Sequence, residues 1–162
     1  MKIYLLCFFM LAGFPVSFAQ NNCAVKKGYA YYTSSIPGAQ MVDENGNPIP
    51  PKPNINRFIY LEYSGTKTPE IRSVLYNGVE LSFITINIKE KTVSVGEKEL
   101  NSKETIKAKR GNSFLKIELQ PKEGKSMPAT GCKSMIITSK QASKLCKFYI
   151  FSEKKLETLP AY

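Results

Sequence analysis

Apolar and polar residues alternate with a period of two along most of this chain, and no stretch carries a convincing helical period of 3.6. A first strand is expected over 28–33, with Tyr29 and Tyr31 on one side. Residues 34–56 are irregular: five prolines (Pro37, Pro48, Pro50, Pro51 and Pro53) and an Asn45-Gly46 turn leave room for only a short edge strand at 40–42. Residues 57–63 alternate cleanly, with Ile59, Leu61 and Tyr63 opposite Phe58, Tyr60 and Glu62. The clearest unit is 71–76, Asn77-Gly78, 79–88, because Asn-Gly between two β-rich runs fills a type I′ hairpin turn.

Within 79–88 the apolar phase changes. Val79, Leu81 and Phe83 alternate first; Ile84, Ile86 and Ile88 then alternate on the other parity. A bulge or a crossing between sheets near Phe83–Ile84 would produce that change. Further strands are expected at 92–95, 105–109 and 114–119. A second loop covers 121–131, strands follow at 134–138 and 146–151, and 153–162 reads as a polar, frayed tail. Eight or nine short strands with turn signals about 8–12 residues apart predict an all-β fold. The preferred form is an antiparallel β-sandwich, immunoglobulin-like in broad architecture, with a barrel as the alternative.

The N-terminus interrupts this pattern. One lysine, an apolar run from Leu5 to Val16, and Ser17-Phe18-Ala19 before Gln20 form a signal-peptidase pattern. The run is shorter than the ~20 apolar residues a spanning helix needs, and Gly13 and Pro15 fall inside it. Cleavage after residue 19 of 162 leaves 143 residues, expected as one sandwich domain over 20–152 and the tail, with no transmembrane segment. The expected location is periplasmic or extracellular. The lack of any Asn-x-Ser/Thr sequon suits a bacterial source.

Composition narrows the chemistry. Histidine and tryptophan are absent, and Asp43 is the only aspartate. Without histidine there is no Ser-His-Asp or Cys-His arrangement and no imidazole metal ligand. No cofactor motif is visible. A hydrolase would have to use paired glutamates, which mostly sit beside lysines. The net charge of +10 could attract anionic glycans or acidic partners, but lysines and glutamates are spread along the chain, as in a solvated surface. Nucleic acid is not an expected partner of an exported chain.

Removal of the leader takes Cys7 with it and leaves Cys23, Cys132 and Cys146. An oxidising compartment then suggests one disulfide and one thiol. A hairpin of 134–138 with 146–151 would set Cys146 opposite about Ile137. Cys132 would then be roughly 17 Å away along the neighbouring strand. Bridging needs Cα atoms within about 7 Å. The favoured bridge therefore joins Cys23 to Cys146, or else to Cys132.

Other constellations are weaker. Asp43-Glu44-Asn45-Gly46-Asn47 opens like a calcium loop but has Pro48 and Asn54 where glycine and glutamate are needed, so an Asx turn explains it better. Ser-x-x-Lys at Ser64, Ser113 and Ser152 is expected by chance in a serine- and lysine-rich chain. Lys103, Lys107 and Lys109 share one strand face with Thr105, either as a basic stripe for an anionic glycan or acidic partner, or as the solvent side of a half-buried strand. Tyr29, Tyr31, Phe58 and Tyr60 could form a stacking platform or simply pack.

The preferred reading is a non-catalytic exported binding protein that meets a protein or an anionic glycan. The alternatives are a small hydrolase inhibitor acting through 34–56 or 121–131, and a glutamate-based hydrolase.

Overall fold

The computed structural model describes residues 23–36, 41–50, 53–99, 102–128, 131–141 and 143–157. The expected export segment over 1–19 and the end of the expected tail lie outside them. In chain order the strands are β1 (Val25–Ser35), β2 (Met41–Val42), β3 (Pro48–Ile49), β4 (Asn54–Ser64), β5 (Glu70–Tyr76) and β6 (Val79–Ile88). They continue as β7 (Thr92–Glu99), β8 (Ser102–Lys107), β9 (Asn112–Gln120), β10 (Met135–Gln141), β11 (Lys144–Ile150) and β12 (Lys154–Leu156). The fold is all-β and sandwich-like. The surplus over eight or nine strands consists of the two- and three-residue pieces β2, β3 and β12.

One sheet of eight strands, in the order β11-β10-β5-β6-β9-β4-β1-β12, curls over on itself. The fold in it lies along β6. Val79–Leu81 pair with β5, and Ser82–Ile88 pair with β9 without a register irregularity. The phase change expected near Phe83–Ile84 is thus a crossing, not a bulge. Side chains keep alternating, but the apolar ones shift sides. Leu81 and Phe83 face the space between the layers, whereas Ile88 packs on the outer side of the β9 layer.

Two cores result. The first lies between the folded halves and takes the odd-numbered residues of β4 and β9: Ile59, Leu61, Tyr63, Leu115, Ile117 and Leu119. Val74, Tyr76, Met135, Ile137 and Ile150 meet them from the other layer. The second core lies on the opposite face of β1, β4 and β9. There the β7–β8 hairpin lays Ile106, Ala108, Val93 and Val95 over Tyr31, Tyr60 and Phe114. The fold does not fray at Glu153: β12 pairs in parallel with β1, and Leu156 is buried in the second core. The polar tail expected from 153 is corrected by one apolar residue, Leu156, which finds a site under the hairpin.

The open side of the sandwich is closed by a disulfide. Cys23, just before β1, is bonded to Cys146 of β11 with Cα atoms 6.0 Å apart. Cys146 lies opposite Ser139, because β10 runs on to Gln141 and the connection to Lys144 is tight. Cys132 is free. Gly28 stands beside this closure, where a Cβ would come 2.6 Å from Phe148 Cε1 and 2.8 Å from Ile150 Cδ1. The Asn77-Gly78 turn has φ of 48° and 82°, as a type I′ hairpin requires.

Two outcomes follow. Gly28→Val should cost about 1–3 kcal/mol of unfolding free energy, since both layers must move apart to admit it. Urea titration measures this, and an unchanged midpoint would show that β11 does not press on β1. Joint replacement of Cys23 and Cys146 by serine should cost about 2–5 kcal/mol, because the bridge closes a long loop in the unfolded chain. The same titration checks it without reductant, the bridge intact in the parent, and an equal midpoint for the two proteins would show that the bridge adds no stability.

Candidate recognition surface

The expected neighbours Tyr29, Tyr31, Phe58 and Tyr60 do come together. Tyr29 sits opposite Tyr60 and Tyr31 opposite Phe58 in the β1–β4 register. Tyr31 and Phe58 stack with centroids 6.0 Å apart, and Tyr60 meets Phe114 edge-on at 6.3 Å. As an open platform, however, this set fails, because the β7–β8 hairpin buries Tyr31 and Tyr60. Tyr29 and Phe58 remain half-buried, with Lys27 and Lys116 over their respective rings. Burial, followed by the charge of Glu104 and a 3.3 Å bond to it, holds the Tyr31 phenol protonated well above its ordinary range.

Lys103 and Lys107 point outward from β8 with Thr105, across from Glu97, Thr92 and Ser94 respectively. Lys109 lies beyond the strand, and its backbone N–H donates to buried Glu62. The stripe is therefore exposed but is also the solvent side of a strand whose other face carries Ile106.

One end of the sandwich gathers the two proline-bounded loops. Ser35, Pro53, Asn54, Ile55 and Asn56 face Pro121, Ser126 and Met127 across an open groove of about 800 Å³. Beneath it lies Arg57, on the inner face of β4 and with no exposed side-chain surface. Its Nε donates to Glu153 Oε2 at 3.1 Å, and its Nη1 to the Pro128 carbonyl at 2.8 Å. Tyr76 donates to the other Glu153 oxygen at 2.6 Å and lies under the guanidinium, 4.5 Å from ring centroid to Cζ.

Burial, then the bond to Glu153, keeps the Tyr76 phenol protonated far above its usual range. The Cys132 thiol is also pushed up, first by burial and then by the Glu153 charge. Asn77 pins the far end of the second loop, accepting from the backbone N–H groups of Lys133 and Ser134 and donating to the Gly131 carbonyl. In the first loop, Asp43 accepts from the Asn45 and Asn47 backbone N–H groups at 2.9 and 2.8 Å. These bonds hold its carboxyl below the ordinary carboxylate range and make the segment an Asx turn.

The glutamates that could serve chemistry are occupied internally. Glu62 accepts from Lys109 and Asn112, Glu104 from Tyr31 and Lys154, and Glu153 from Arg57 and Tyr76.

One exposed apolar surface was not singled out from sequence. Leu145, Tyr149 and Phe151 line the outer side of β11 and the residue after it, exposed by 68%, 48% and 69%. The Tyr149 and Phe151 rings stack 6.3 Å apart, and half-buried Ile136 and Leu75 continue the stripe across β10 and β5. The available signal was a strand apolar on both parities. Cys146, Phe148 and Ile150 alternate with Leu145 and Tyr149, and only the bridge to Cys23 and the packing on Gly28 decide which set turns in.

No protein-family model, curated protein or solved structure shows detectable similarity to this chain.

Arg57→Met and Glu153→Gln should each cost about 3–5 kcal/mol, since either leaves a buried charge or donor without its partner. Combining the two should cost clearly less than the sum. Urea denaturation of the four proteins measures the coupling, and strict additivity would show that the pair does not act as a unit.

Proposed function

We propose that this chain is an exported, non-catalytic binding protein, working in the periplasm or outside the cell, that docks a partner protein on the outer face of β5, β10 and β11. The observation that carries the reading is the exposure of Leu145, Tyr149 and Phe151 on one side of β11, Tyr149 and Phe151 stacked and Lys147 standing between Tyr149 and Leu145. Large apolar side chains grouped on a small protein's surface mark interaction sites far more often than singly scattered ones do. The Cys23–Cys146 bridge suits an oxidising compartment, and among the described residues no helix is long and apolar enough to cross a membrane. A glutamate-based hydrolase has less support, because its candidate carboxylates are bonded within the fold.

The inhibitor reading keeps one specific support. The β2–β3 hairpin is stiffened by Asp43 and prolines and exposes Val42 and Ile49, and a preorganised loop loses little entropy on docking. The lysine face of β8 is the corresponding surface for an anionic glycan.

Three variants separate these surfaces. The pairs are Leu145→Ser with Phe151→Ser, Val42→Ser with Ile49→Ser, and Lys103→Glu with Lys107→Glu. An envelope extract of the source cell is passed over each immobilised protein. A partner retained by the parent should be lost, by about tenfold or more in affinity, only from the first variant. Equal retention by that variant would refute docking on the β11 face.

A further inference from the structure

We infer that the partner engages β11 by strand addition, offering an extended acidic segment with apolar residues at alternate positions; this rests on the β11 face being the docking surface. Three observations converge on it. First, β11 ends the eight-stranded sheet, and among the described residues no strand pairs with its other side. Second, the register closes on Gln141 and Lys144 across two residues. A two-residue hairpin makes its flanking pair the mutually bonded one, and bonded and non-bonded pairs then alternate. Leu145, Lys147 and Tyr149 therefore turn their N–H and C=O groups to the open edge. Leu145 and Tyr149 among them also carry the outer apolar side chains, with Lys147 between them. An added strand would gain main-chain bonds from them while its own alternate side chains settled beside Leu145, Tyr149 and Phe151.

The third observation is charge. On the outer face of this layer, Glu70 is held by Arg72 at 2.8 Å and Glu80 by Lys122 at 2.5 Å. Lys147, and Lys144 at the turn, are exposed and form no ion pair among the described residues, while exposed Lys140 stands opposite the Glu70 that Arg72 holds. The apolar stripe thus lies in a cationic surround, which favours glutamate or aspartate on the incoming strand. A second copy of this chain fits less well, because β11 against β11 would bring two lysine-bearing strands together.

The test uses the bridged protein and labelled synthetic peptides of about seven residues, the length of β11. Glutamate alternates with leucine or phenylalanine in the first. A second carries N-methyl groups on the residues that would bond to β11, a third carries them on the intervening residues, and a fourth replaces glutamate by lysine. Fluorescence anisotropy should show saturable binding of the first and third peptides. The second and fourth should bind about tenfold or more weakly, as loss of several main-chain bonds or of charge complementarity implies. Equal binding of the first two, or no binding of any, would overturn strand addition. Sedimentation showing a stable dimer that the first peptide does not disperse would do the same. The surface reading itself is judged separately, by partner retention in the Leu145 and Phe151 variant, so the two can fail independently.

Discussion

A buried guanidinium sets the terms for much of this fold. Arg57 continues the inward-facing run of Ile59, Leu61 and Tyr63 and has no solvent exposure. Burying a charge costs several kcal/mol unless it is paired and its donors are met. Glu153, the Pro128 carbonyl and the Tyr76 ring meet that need from three distant parts of the chain. One side chain on β4 thereby fixes β5, the loop after β9 and the chain's final descent. Glu153 immediately precedes β12, so holding its carboxylate places Leu156 within reach of the second core.

The central layer of β1, β4 and β9 is covered on both faces. Its inner face meets the β5–β10–β11 layer and its outer face meets the β7–β8 hairpin. The two layers of the sandwich are joined along β6 on one side and by Cys23–Cys146 on the other. With the aromatic face largely consumed by packing, the outward side of β11 still leaves Leu145, Tyr149 and Phe151 uncovered. The recognition surface proposed for it follows from how the sheet curls.

Much of this was legible along the chain. The alternation in 57–63 and 114–119 places Ile59, Leu61, Leu115 and Ile117 on one side, and Asn77-Gly78 marks the tight turn between β5 and β6. The cysteine spacing argued against Cys132–Cys146 and for a bridge from Cys23 to Cys146 or Cys132, and the structure has Cys23–Cys146. The hairpin over Tyr31 and Tyr60 was less accessible. Ile106 and Ala108 announce a half-buried strand, but nothing local says which sheet face they will cover. Arg57 reads as an ordinary strand cation until Glu153, 96 residues later, is brought beside it. Leu145 and Tyr149 were hidden for the opposite reason, since β11 is apolar on both parities and alternation cannot choose between them.

By itself, then, the sequence determined the strand character of the chain, its tight turns and the partition of side chains within each regular strand. These depend on backbone preference and a two-residue period, both local. It also raised the expectation of an export leader, and its lack of histidine left out imidazole chemistry. Tertiary structure alone decided where β6 changes layers, which aromatics are covered, which buried charges are matched and which face of β11 meets water. Each of those depends on contacts between residues far apart in the chain, where local pattern has no reach.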